Sequence, residues 1–352
     1  MVQRGLAHVV RADGRKGLRH CRVARSSGRE DRADGHRSAH RARDVVVSLR
    51  QHEPRSRDAQ HRTHGHQGSA ADQSSLGRRL GGSLVATRSG GHISVIRSDV
   101  WRAGSLEISF VGSGKRVGYL HGMVPPADDP PLMNALASLG FEVVAPCLPG
   151  YGNTSTSSDL RTMHDWVAAT SEIVDIAGIN GCAVVASSIG AMLALELAAI
   201  RPEAFTQLVL IAPLGLWRDD LPVADPFATT LSGQRSLLTN DPALTASFYD
   251  DHHGSDAVVA TMQRYTARTA TASLVWPIPE FGLSQRIHRV TCPVTLVWGA
   301  DDRIVPPAYV DLFAECLPNL VSSHIVEGSG HLADLEAPHA IAEIVAGVVS
   351  HG

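Results

Sequence analysis

The chain has 352 residues, 43% of them apolar and 5% aromatic, with a formal net charge of −3. That length allows one large or two ordinary domains with a sizeable core, and the composition is ordinary for a soluble protein. No apolar run reaches the length of a membrane span, and five scattered cysteines without a Cys-x-x-Cys pair argue against a disulfide framework or a zinc ribbon.

The charge is unevenly placed. The first 92 residues hold 19 of the 32 Lys and Arg but only 8 of the 35 Asp and Glu, so they carry +11 and the remainder −14. Up to about Gly91 the chain is rich in Arg, His, Gly and Ser and has no sustained apolar period; only Val45–Leu49 resembles a strand. Such a segment cannot bury enough apolar surface to offset its ordering entropy, so residues 1–91 read as a disordered basic extension. Arg-rich, patternless sequence is also what a start codon taken too far upstream in a GC-rich gene would produce, and that origin is preferred to a native tail. A nucleic-acid arm is the weakest reading, because no Phe, Tyr or Trp precedes Trp101. His64 and His66 have no Cys or carboxylate beside them to complete a metal site. The N-terminus lacks an apolar signal-peptide core, so a cytoplasmic location is expected.

Organisation begins near His92. Leu106–Val111 and Arg116–His121 flank Gly112-Ser-Gly114 and predict a hairpin. After them come His121-Gly122-Met123, a helix over Leu132–Leu139, a strand at Phe141–Pro146, the loop Leu148-Pro-Gly-Tyr-Gly152 and a helix over Asp159–Ile176. A strand at Cys182–Ser187 runs directly into a helix at Ile189–Ile200, and Gln207–Ala212 is a further apolar strand. Near-continuous apolar strands alternating with helices predict a mostly parallel sheet with helices on both faces. The pattern breaks at Leu214 and resumes at Cys292–Gly299. The interval is too long for a simple loop, so an inserted helical cap is expected at 214–285, with the core at 92–213 and 286–352. Its helical patches are Ala243–Tyr249 and Ala257–Tyr265. A helix at Ala308–Cys316, a strand at Ser322–Val326 and a closing helix from Pro338 to Val349 complete the chain.

Between the strand and helix around residue 188 lies a small-x-Ser-x-small turn, Ala186 to Gly190. A serine on so sharp a turn is held in strained geometry with its hydroxyl pushed out of the sheet, and the flanks must be small to avoid neighbouring elements. The spacing selects Ser188 over Ser187. Acyl transfer by serine also needs a base, a carboxylate to orient it and N–H donors for the oxyanion. Asp302 and His331 each follow a later strand, as Ser188 follows its own. The expected donors are the backbone N–H groups of Ile189 and Met123. His324 and His339 are weaker bases, the first lying mid-strand and the second inside a helix.

His121-Gly122, Leu148–Gly152, Ala186–Gly190, Trp298-Gly-Ala-Asp-Asp-Arg-Ile-Val-Pro306 and Gly328-Ser-Gly-His331 together resemble the α/β-hydrolase superfamily over about residues 93–350. The resemblance implies a nucleophile, acid and base in the order Ser188, Asp302, His331, and it favours Asp302 over Asp301. Ala186 stands where the family usually has Gly, and Cys147 where relatives often have Asp. A serine nucleophile sets the chain apart from the dehalogenases and epoxide hydrolases of this fold, which use Asp.

Seven of the 17 aromatic residues lie between Leu214 and Phe281, which suits an apolar pocket roof as well as packing within the cap. His121, Gly122, Trp217 and Trp276 are the expected substrate-binding residues. The expected activity is hydrolysis of a small or medium apolar carboxylic ester, with no cofactor and no metal, membrane or nucleic-acid partner. Hydrolysis of a carbon–carbon bond, as in meta-cleavage-product hydrolases of this type, and a ligand-binding receptor on the same fold are the alternatives. Cofactor-free haloperoxidase and acyltransferase activities are further ones.

Overall fold

The computed structural model describes residues 84–89, 92–102, 104–127, 129–156, 159–250, 257–278 and 281–349, together with a two-residue strand, β1, at Val9–Val10. Val45–Leu49, His64, His66 and most of the basic arm lie outside the described residues. Strands β2 (Leu84–Ser89), β3 (His92–Trp101) and β4 (Gly104–Gly112) form an antiparallel run. The sheet thus extends a strand ahead of His92, where the sequence places its start.

The central strands are β5 (Lys115–Leu120), β6 (Phe141–Pro146), β7 (Cys182–Ser187), β8 (Phe205–Ile211), β9 (Val294–Gly299) and β10 (Leu320–Val326). All six run parallel, and the full sheet has the order β1-β10-β9-β8-β7-β5-β6-β4-β3-β2. The order corrects the expected hairpin. β4 and β5 are not neighbours; β6 lies between them, antiparallel to β4 and parallel to β5. The glycines of the link serve a crossing instead of a hairpin turn. Gly112 and Gly114 have φ of +82° and +117°, and a Cβ on either would strike the carbonyl oxygen of Phe141 or of Gly140 at the start of β6.

Alternation along the parallel strands feeds two cores, one on each face. Val117, Val185, Val209 and Val297 face one layer, packed against α1 (Pro131–Ser138) and α9 (Pro338–Val349). Leu120, Val184, Leu208 and Leu296 face the other, packed against α2 (Met163–Ala177) and α3 (Ser188–Ile200). Each fully buried aliphatic side chain contributes roughly 1.5–3 kcal/mol, so both faces of the sheet are firmly held. Thr162 caps α2 in a reciprocal box with Asp165, and Gly178 ends it in the left-handed region. Helix α3 is buried on almost every side, and its single charge, Glu196, is held by both arms of Arg286 at 2.7 Å.

Between β8 and β9 the chain leaves the sheet and forms α4 (Leu231–Leu238), the short α5 (Ala246–Tyr249) and the long α6 (Ala257–Val275). The last two overlap the expected helical patches; α4 was not anticipated. The insertion touches loops at the carboxyl ends of three strands, reaching the one after β9 through the Ala224 N–H, which donates to Ile304 O at 2.9 Å. Ala270 packs on Gly150, the Thr271 and Tyr151 hydroxyls bond each other, and Leu238 O accepts the Leu332 N–H at 3.0 Å. Helices α7 (Tyr309–Cys316) and α8 (Ala333–Glu336) follow β9 and β10. Among the described residues no helix is long and apolar enough to cross a membrane.

Candidate active site

Ser188 is the first residue of α3 and has φ of +52°, a conformation that non-glycine residues rarely adopt. The strand before it and the helix after it enforce this turn, which lifts the side chain off the end of the sheet. Gly190 shows why the flank must be small. A Cβ there would lie 2.5 Å from Leu120 O and would also strike His121 O, both of them backbone atoms of β5 and its exit. Ala186, on the other flank, is fully buried and its methyl is accommodated.

The Ser188 Oγ lies 2.7 Å from His331 Nε2, and His331 Nδ1 lies 2.9 Å from Asp302 Oδ2. The other Asp302 oxygen accepts the N–H groups of Ile304 and Val305 at 2.8 and 2.9 Å. Three residues far apart in the chain therefore form one continuous run of hydrogen bonds. Ser188 and His331 are fully buried and Asp302 is nearly so, which keeps the run out of bulk water. The neighbouring candidates are occupied elsewhere. Asp301 is exposed and accepts from Asn240, His324 faces Ser322 within β10, and His339 is exposed on α9.

Gly122 brings the loop after β5 against Ser188, since a Cβ at Gly122 would stand 3.0 Å from the Ser188 Cβ. Met123 follows it and is buried, and Ile189 follows Ser188 at the first turn of α3. His121 is not free to bind a ligand through its ring nitrogens. Nε2 accepts the Leu148 N–H at 3.0 Å, which puts the proton on Nδ1, and Nδ1 donates to Gly122 O at 2.8 Å. Its ring also meets Tyr151 edge-on at 4.7 Å. Burial lowers its pKa to about 4 and keeps it neutral. The imidazole thus joins the loop after β5 to the Leu148–Gly152 loop.

The two tryptophans part company. Trp217 is half-buried against the main core cluster, with its N–H on Asp219 at 2.9 Å. Trp276, just beyond the end of α6, is 59% exposed and is not among the residues that line the cavity beside that helix. Phe227, Phe248 and Tyr249 also pack on the core, whereas Tyr265 and Phe281 are exposed. A cavity of about 410 Å³ lies between α6 and the Pro149–Leu160 loop, lined by residues that include Trp166, Tyr265 and Ala270. It includes none of Ser188, Asp302 and His331.

Sequence reasoning missed a second buried carboxyl beside the site. Asp334 accepts from the Tyr119 hydroxyl at 2.5 Å, and burial raises its pKa. It also missed Glu336, which accepts from residues on both sides of the site. No local pattern marks either residue. Among the described residues no group of three or more His, Cys, Asp and Glu is arranged to hold a metal ion.

The model of the alpha/beta hydrolase family matches residues 119–344, well over half of the chain. The chain belongs to that family. Among relatives, it is 26% identical over 249 residues to a pimeloyl-[acyl-carrier protein] methyl ester esterase of Aeromonas hydrophila, covering 66% of this chain and 91% of that one. It is 26% identical over 271 residues to a 2-hydroxy-6-oxononadienedioate/2-hydroxy-6-oxononatrienedioate hydrolase of Comamonas testosteroni, covering 70% and 92%. With the dihydrolipoyllysine-residue acetyltransferase component of an acetoin cleaving system of Cupriavidus necator it shares 24% over 239 residues, 64% of this chain and 61% of that protein.

Proposed function

We propose that this member of the alpha/beta hydrolase family is a serine hydrolase acting on a small or medium apolar carboxylic ester. The hydrogen-bonded run from Ser188 through His331 to Asp302 carries the reading. Ser188 Oγ attacks the ester carbonyl while His331 Nε2 takes its proton, and Asp302 holds the imidazole in the required tautomer. The negative charge that develops on the carbonyl oxygen is received by the N–H groups of Ile189 and Met123. Collapse of this intermediate expels the alcohol, which leaves with the proton from His331, and the acyl group stays on Ser188. A water, deprotonated by His331, then releases the carboxylic acid and restores the enzyme.

The insertion between β8 and β9 acts as a cap. Its contacts with the loops after β6, β9 and β10 and the full burial of Ser188 support that role. Gly122, packed against Ser188, and Trp217 are the substrate-side residues of this reading, and the ring nitrogens of His121 are engaged in bracing the loop after β5. The esterase of Aeromonas hydrophila is a relative whose named chemistry matches this reading. The hydrolase of Comamonas testosteroni favours a second reading, cleavage of a carbon–carbon bond beside a ketone by the same residues.

A fluorophosphonate separates both from a non-catalytic role, because it phosphonylates only an activated serine. Peptide mapping should find the adduct on Ser188. An unlabelled, folded protein would overturn the proposal.

A further inference from the structure

We propose that Glu336 is a positioning residue which ties seating of the cap to the placement of His331, with Asn240 of the cap doing the same for the loop of Asp302. The inference rests on the serine-hydrolase reading above. Glu336 touches neither the reacting atoms nor the His331 ring. Its two oxygens are divided between the catalytic loop and the cap. Oε2 accepts the N–H of Gly330, the residue before His331, at 2.5 Å. Oε1 accepts from the cap: the Asn240 N–H at 2.5 Å, the Thr239 hydroxyl at 2.7 Å and the Asp241 N–H at 3.3 Å. On the other side of His331, the Leu332 N–H is held by Leu238 O of the cap at 3.0 Å. The N–H groups of the residues on either side of the base are thus tied to one cap segment, Leu238–Asp241, that of Gly330 through Glu336 and that of Leu332 directly.

The same segment reaches the loop of the acid. The Asn240 Nδ2 donates to Asp301 Oδ2 at 2.9 Å and to Gly328 O at 3.1 Å, and its Oδ1 accepts from Arg303 at 2.5 Å. Asp301 and Arg303 are the two neighbours of Asp302 in the chain. Arg303 also donates to Ser236 O on α4. One turn of the cap therefore grips the loops of both the acid and the base.

The cap does not need these bonds merely to stay attached. Tyr151 with Thr271 and Asn153 with Gln263 fasten it elsewhere. Their distinctive effect is on registration: His331 must reach Asp302 and Ser188 at once, at 2.9 and 2.7 Å. A drift of about 1 Å in such a group can cost about a hundredfold in rate. Cap seating and serine activation are then coupled through Glu336.

The test is the second-order rate of fluorophosphonate labelling at Ser188 in wild type, Glu336→Gln, Glu336→Ala, Asn240→Ala and the Glu336→Ala/Asn240→Ala double variant. Each is measured well below its own unfolding temperature and after circular dichroism has verified folding. Glu336→Ala should label about a hundredfold more slowly and Asn240→Ala about tenfold, with the isosteric Glu336→Gln between wild type and Glu336→Ala. The double variant should lose less than the product of the two, since both act on one turn. Wild-type labelling rates in folded variants, even with lowered melting temperatures, would overturn the proposal and leave Glu336 a stabilising residue. If Glu336→Ala does not fold, Glu336→Gln and Asn240→Ala carry the same test. A wild type that does not label would instead overturn the serine-hydrolase reading itself.

Discussion

Asp302 gives its two oxygens to different partners, and the division sets which ring nitrogen of His331 faces the acid and which faces Ser188. Oδ2 faces His331 Nδ1 at 2.9 Å, while Oδ1 accepts two backbone N–H groups, from Ile304 and Val305. A ring nitrogen facing a carboxylate carries the proton, which leaves Nε2 as the acceptor for the Ser188 hydroxyl, 2.7 Å away.

Asp302→Asn therefore inverts the ring without removing it. The new amide keeps its oxygen toward the Ile304 and Val305 N–H groups, because an NH2 there would face two donors. Its NH2 then points at His331 Nδ1 and drives the proton to Nε2, the wrong tautomer for a base. The expected result is a fall in kcat of about 10⁴-fold, with an unfolding temperature close to that of wild type. Steady-state kinetics beside a thermal melt checks both halves.

Gly190→Ala should damage the fold before the chemistry. Its methyl would lie 2.5 Å from Leu120 O and also strike His121 O, and neither atom is the end of a flexible side chain. A loss of about 3 kcal/mol is expected, as for overpacking a tight core. Urea unfolding measures it. Wild-type stability would mean that the strand-to-helix turn is looser than these distances imply.

His121 should make stability depend on pH. Burial lowers its folded pKa from 6.5 to about 4, so the unfolded chain takes up a proton first as pH falls. Its contribution is therefore full above about pH 6.5 and declines through the interval down to about pH 4, by about 3 kcal/mol. His121→Asn removes the acceptor of the Leu148 N–H and should cost about 1–3 kcal/mol at pH 7. In return its urea midpoint should vary less than that of wild type between pH 6.5 and 4.5. Parallel curves for the two proteins would rule His121 out as the source.

The parts of the site legible in the sequence are those imposed by local sterics. Ala186–Gly190 announces the Ser188 turn because no larger flank fits beside Leu120, and Asp302 and His331 each follow a strand closely enough to be placed by counting. Helix α9 and strands β6 and β7 match their expected bounds because apolar runs end in Gly, Pro or a cap. Strand order was less accessible. Gly112 and Gly114 resemble a hairpin turn, and only the position of β6 shows that they cross over its start. Trp276 illustrates a second limit, since its place in the insertion does not tell whether its ring lines the cavity, as Tyr265 does, or stands outside it. Glu336 and Asn240 illustrate a third. The bond between them joins positions 96 residues apart, and a contact of that range leaves no periodicity or spacing in either segment.

The most direct test of the central claim is the turnover of p-nitrophenyl esters, from acetate to decanoate, by wild type and Ser188→Ala. Wild type should hydrolyse the esters measurably, with an optimum in acyl length that sizes the pocket. The folded variant should lose several orders of magnitude in kcat. A folded wild type inert on every ester, or a Ser188→Ala variant as active as wild type, would contradict it.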